Sequence, residues 1–144
     1  MDVFEQEAER QLQQIRDLIH RYDRLSEAIT VSNARTEIET SRGKMPLSCA
    51  ISLRNRLRGS GPFGEVGDFE GRLVKKIRNE YKGMQESVDD INGLSEGKAR
   101  QRTEICDPIH ALDKANLIQE ERDAFLAELE TKIKISNATT CLTL

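Results

Sequence analysis

Arg54, Arg56 and Arg58 stand just ahead of a glycine-rich run, Gly59-Ser60-Gly61-Pro62-Phe63-Gly64-Glu65-Val66-Gly67. On a helix, residues four apart are neighbours, so Arg54 and Arg58 share a face while Arg56 turns away. Paired guanidinium groups can grip a phosphate bidentately. Glycines let backbone N–H groups approach an anion, and an aromatic such as Phe63 can stack on a nucleobase. The chemistry suggested is capture of an anionic nucleotide. The same residues also suit a solvated basic face answering acids on other helices, with Phe63 plugging the core. The residues alone leave both alternatives open. The glycine run lacks the GxxxxGK[ST] order, so it is not a P-loop.

A second basic stretch, Lys98, Arg100 and Arg102, lies in a long polar segment before Cys106-Asp107-Pro108. Loops of this length are enriched in function, and this one could close over a bound anion or simply be a polar connection. Catalytic chemistry is harder to find. His20 and His110 lack metal-ligand spacing and suit surface or interface positions. Cys49, Cys106 and Cys141 are odd in number and show no CxxC, which argues against a disulfide framework and a zinc site. Buried reduced thiols are expected. No acid/base pair stands out among the carboxylates, which include Asp89-Asp90 and Glu120-Glu121. The sequence implies no cofactor, no metal and no enzymatic activity.

The elements that must position these groups are mostly helices. The chain of 144 residues is one domain's worth, 1–144. Charged residues make up 33% and aromatics 4%, with no Trp, which fits long solvated helices whose apolar surface is buried between subunits. A net charge of −3 gives no bulk case for binding long nucleic acid or a membrane. Residues 40–64 nevertheless contain no Asp or Glu while carrying Arg42, Lys44 and the three arginines. Without a basic-then-apolar leader or an apolar stretch of spanning length, a cytoplasmic protein is expected.

Residues 2–30 place Phe4, Ala8, Leu12, Ile15, Leu18, Ile19, Tyr22, Leu25 and Ile29 three or four apart, predicting an amphipathic helix. Thr36 to Thr40 alternates, Ser41-Arg42-Gly43 supplies turn chemistry, and Lys44-Met45 returns as a second strand. Pro46 suits the first turn of a helix ending near Arg58. Asp68 is the expected N-cap of a helix carrying Phe69, Val74, Ile77, Tyr81, Met84, Val88 and Ile91, with coiled-coil spacing from Val74 onward. Thr103 to Cys106 is a possible short strand. A last helix is expected from about Asp113 to Lys134, and then a terminal strand from Ser136 to Leu144. The predicted fold is mainly α: long amphipathic antiparallel helices with a small sheet built from the β-hairpin and the terminal strand.

Ser-Asn-Ala occurs twice, at Ser32-Asn33-Ala34 and Ser136-Asn137-Ala138, each time where a helical pattern stops. A ligand site at exposed helix ends is one interpretation. The favoured one is a structural helix stop, with Asn33 and Asn137 left-handed and Ser32 and Ser136 bonded to local backbone. No His or Lys stands at a motif spacing that would make either Ser a nucleophile.

The pattern Ile29, Ser32-Asn33-Ala34, Thr36, Ile38, Gly43-Lys44-Met45, Leu47, Ala50-Ile51 and Arg54 resembles a family of small uncharacterised helical proteins of phages and prophages. The ending Ser136-Asn137-Ala138-Thr139-Thr140 is similar to that family's C-terminus. A more distant likeness is to the septicolysin-like bacterial proteins. The chain departs from the phage pattern by lacking a further N-terminal helical segment and by placing Pro46 where a capping Thr is usual. The resemblance implies a self-associating helical protein without an established enzymatic role, in the host cytoplasm if phage-encoded. Together these observations lead to an expectation: a non-enzymatic homo-oligomer that sequesters an anionic, cyclic-type nucleotide signal of bacterial defence. The alternative is a structural self-assembly protein with no small-molecule ligand.

Overall fold

The computed structural model describes residues 2–94 and 104–143. Its described elements are α1 (Val3–Arg35), β1 (Glu37–Thr40), β2 (Gly43–Pro46), α2 (Leu47–Leu57), a 3-10 turn (Gly64–Gly67), α3 (Phe69–Leu94) and α4 (Ala111–Thr139). The fold is mainly helical with one small two-stranded antiparallel sheet, as the hydrophobic periods predict. No helix among the described residues is long and apolar enough to cross a membrane. The chain divides into two compact units, residues 1–51 with 132–144, and residues 52–131.

In the first unit, α1 starts at Asp2, whose N–H donates to Glu5 Oε2 at 3.3 Å. It runs 33 residues, yet none of them is buried. The stripe residues Phe4, Leu12, Ile15, Leu18, Ile19, Tyr22, Leu25 and Ile29 remain 40% to 78% exposed. Ala28, Ser32 and Asn33, near the C-terminal end, are partly covered. The hairpin that follows pairs Ile38 with Met45 and Thr40 with Gly43 around Ser41-Arg42. Ile38 and Thr40 are buried while Glu37 and Glu39 face out, the alternation of a half-buried strand. Gly43 has φ +111, a conformation that side chains disfavour. Thr40 Oγ1 donates to the Gly43 carbonyl at 2.9 Å and accepts the Arg42 N–H, which closes the turn.

Both Ser-Asn-Ala copies sit inside the last helical turn, so each helix runs further than its hydrophobic pattern suggests. The Ser32 carbonyl accepts the N–H of Thr36 at 2.8 Å, and the Ser136 carbonyl accepts that of Thr140 at 2.9 Å. The stop therefore falls four residues after each Ser, on a Thr. Thr36 is extended, with φ −74 and ψ 124, and neither Asn33 nor Asn137 has a positive φ. At the end of α1 the expected left-handed Asn is thus replaced by an extended Thr36. Because α4 continues through Thr139, the expected terminal strand is helix and then irregular chain.

Other expectations also shift. Pro46 closes β2 instead of opening α2, which suits a residue with no N–H to donate at a strand end. Cys49, Cys106 and Cys141 are all exposed, not buried. Residues 104–106 form no strand, and Thr103 lies outside the described residues. Met84 and Ile91 are 43% and 48% exposed, so the seam that begins at the buried Val74 loses cover toward the end of α3.

In the second unit, Leu57, Val74, Ala115, Phe125 and Leu129 are buried. Asp68, ahead of α3, meets Arg122 of α4, while Arg78 further along α3 donates to Asn116 at 3.0 Å. Advancing on one helix retreats on the other, so α3 and α4 run antiparallel. The turn into α4 is set by Asp107, whose Oδ1 accepts the Ala111 N–H at 2.9 Å. His110 has φ 52 there, and the helix starts two residues before the position expected from its apolar pattern.

Candidate functional site

The arginine-rich end of α2 is fixed by how that helix stops. Gly59 N–H donates to the Arg56 carbonyl and Ser60 N–H to that of Asn55, with Gly59 at φ +71, the bonding of a Schellman cap. A Cβ on Gly59 would also come within 3.1 Å of Glu65 Cα. The glycine-rich run then folds back and leads through the 3-10 turn to Asp68. Its N–H groups at Gly59, Ser60 and Gly64 are bonded to nearby carbonyls, so they are unavailable to cradle a phosphate.

The three arginines meet different fates. Arg56 holds both oxygens of Glu70, at 2.8 and 2.9 Å, and donates to the Gly67 carbonyl at 3.1 Å. Its guanidinium carbon lies 5.2 Å from the centre of the Phe69 ring. The Glu70 hydrogen bonds raise its pKa above the ordinary arginine value, against the opposing effect of partial burial. Arg58 donates to Glu130 Oε1 at 2.8 and 2.6 Å. Arg54 is half-buried and donates to Asn55 Oδ1 at 3.3 and 3.2 Å. Arg54 and Arg58 thus fall on separate partners. Phe63 does not plug the core: it is 67% exposed, its ring 6.3 Å from that of Phe69 at 48°. Lys98, Arg100 and Arg102 lie outside the described residues.

A fourth arginine ties this region together. Arg122 donates to Asp68 Oδ1 and Oδ2 at 2.8 Å each and to the Leu57 carbonyl at 2.6 Å. It thereby links the end of α2, the start of α3 and the middle of α4. Hydrogen bonding to Asp68 is the main cause of its raised pKa. Asp68 Oδ1 also caps α3 by accepting the Gly71 N–H at 3.1 Å. An added Cβ at position 71 would collide with the Asp68 carboxylate, which would have to shift away from the cap and from Arg122. Sequence reasoning found the Asp68 cap but missed Arg122. The available signal was a cation on the apolar stripe of α4, between Ile118 and Phe125, where a charge needs a partner.

A second omission is an open cleft of about 500 Å³ along the first turns of α3, lined by Arg72, Lys75, Lys76 and Asn79 with Glu65 and Val66. Lys76 is paired with Glu80 at 2.7 Å. Arg72 and Lys75 are exposed and, among the described residues, show no ion pair or side-chain hydrogen bond. They are spaced three apart, as neighbours on one helical face are. In the first unit, Ser32 lines another cleft of about 440 Å³ with Arg24, Glu27, Arg35 and the tail residues Leu142 and Thr143. Among the described residues no three His, Cys, Asp or Glu side chains are grouped to hold a metal ion. Comparison with protein-family models, with curated proteins and with solved structures gives no match.

Proposed function

We propose that the protein is a non-enzymatic, oligomeric binding protein of the phage type, which holds an anionic nucleotide signal of bacterial host defence and releases it unchanged. The observation that carries the oligomeric half is α1, a long amphipathic helix with no buried residue. Such a helix is stable in water chiefly by packing its apolar face, and copies of the chain supply that packing. The ligand half is supported by cations that no carboxylate among the described residues engages. Arg72 and Lys75 line an open cleft of about 500 Å³, within the size range of small-molecule sites. Among the described residues, Arg54 is hydrogen-bonded to the neutral Asn55 amide. Exposed Phe63 offers a ring for stacking.

A second reading, a self-assembling structural protein with no small ligand, is favoured by one observation. Arg56, Arg58 and Arg122 are all engaged by internal carboxylates, so much of the basic character serves folding.

Purified protein incubated with a panel of cyclic nucleotides, heat-denatured and analysed for released ligand separates these functions. Recovery of intact nucleotide supports sequestration, and conversion to a product indicates an enzyme. Absence of binding across the panel leaves assembly. If binding is found, Arg72→Ala with Lys75→Ala and Arg54→Ala with Arg58→Ala locate it. The pair that lowers affinity at least tenfold without changing the oligomer mass marks the site.

A further inference from the structure

We infer that α1 pairs antiparallel with α1 of a second copy, in a register centred between Ile15 and Leu18. This rests on the reading above that copies associate through α1, and it adds the orientation and the contacts. Phe4, Ala8, Gln11, Ile15, Leu18, Tyr22, Leu25 and Ile29 follow an alternating four-three spacing, a coiled-coil seam along one face of a helix about 50 Å long. Their helix is exposed throughout this stretch except at its C-terminal end. Leu12 and Ile19 widen the seam to three positions per heptad, the pattern of a bundle-forming helix.

Orientation follows from size, polarity and charge. An antiparallel pair sets Phe4 against Ile29, Ala8 against Leu25, Gln11 against Tyr22 and Ile15 against Leu18. Small then meets large at Ala8 and Leu25, as close packing requires. The two polar members of the seam face each other, where the Gln11 amide and the Tyr22 hydroxyl can bond, and polar seam residues are the ones that fix register. A parallel pair would oppose Ala8 to Ala8 and leave a void. It would also bring Asp2, Glu5, Glu7 and Glu9 together at one end. The antiparallel pair separates the two acidic ends, setting residues 2–9 of one copy level with 24–31 of the other and Glu9 level with Arg24. At roughly 100 Å² for each large side chain, the seam and its flank cover on the order of 800 Å² per copy, the size of a standard stable interface.

Disulfide trapping tests the register. With Cys49, Cys106 and Cys141 replaced by Ser, Phe4→Cys chains are mixed with Ile29→Cys chains under mild oxidation. Disulfides joining position 4 to position 29 are expected to dominate. Predominance of position 4 joined to position 4 would overturn the antiparallel register while leaving association through α1 intact, whereas a monomeric native chain refutes both. A size exchange provides a readout free of new cysteines. Leu25→Ala should weaken association at least tenfold, and adding Ala8→Leu should restore it to within about threefold. Failure of the double variant to recover contradicts the proposed register.

Discussion

The junction of α2, α3 and α4 and the helix α1 use the same residue types to opposite ends. At the junction, Arg56 and Arg122 are largely covered and each holds a carboxylate through both oxygens, while buried Leu57, Val74 and Leu129 lie in the same unit. Along α1, arginines and acids alternate on the surface, leucines and isoleucines stay exposed, and the Glu7–Arg10 pair joins two open side chains. The junction completes its own hydrogen bonds and apolar contacts. The helix leaves its apolar face exposed. An ion pair therefore says little by itself: its burial decides whether it builds the fold or decorates it.

Equal truncations in the two regions should have unequal effects. Leu129→Ala should lower the chain's unfolding free energy by about 2–5 kcal/mol, the range for removing a buried leucine side chain. Leu18→Ala should leave unfolding at high dilution unchanged and weaken only association. Denaturant unfolding over a range of protein concentrations checks both. Next in size, Arg122→Ala should cost about 1–3 kcal/mol by leaving the Asp68 carboxylate and the Leu57 carbonyl without their donor. Arg10→Ala, its exposed counterpart on α1, should cause no measurable loss in the same assay.

Gly71→Ala sharpens the account of the junction. Alanine is normally better than glycine in a helix by about 1 kcal/mol. Here stability should instead fall, because the new methyl group displaces the Asp68 carboxylate from Arg122 and from the cap. A rise in thermal midpoint would contradict that geometry. The smallest effect concerns Asp123, whose pKa is lowered by the Gln119 amide first and Arg122 second. A depressed carboxylate stabilises the fold above its ordinary pKa of 3.8 and loses that contribution as pH falls through the folded value. Asp123→Asn should therefore reduce stability slightly at neutral pH and converge with the native chain in acid. Thermal midpoints across the acid range would show it.

Much of the fold was legible because it rests on local rules. The period of α1, the turn at Gly43 and the Asp68 cap each follow from a few neighbouring residues. Helix ends were less so: apolar spacing stops at Ile29 and Ile133, but the backbone continues to the Thr that closes each Ser-Asn-Ala copy. The site was least legible. Arg54, Arg56 and Arg58 are close in sequence, yet their partners are Asn55, Glu70 and Glu130, two of them brought in by folding. The Arg122 contact joins α4 to Asp68, the cap of α3; the apolar stripe of α4 marks Arg122 as a charge in need of a partner, but no local pattern names Asp68 as that partner.

Completion of α1 by other copies of the chain, proposed above, is read from the mass of the particle in solution. Sedimentation velocity in the micromolar range should give the native chain a multiple of its 16.4 kDa. Leu18→Asp, which places a charge in the seam, should sediment at 16.4 kDa with its second unit still folded. A native chain that sediments as a monomer across that range, with α1 helical, would contradict the account.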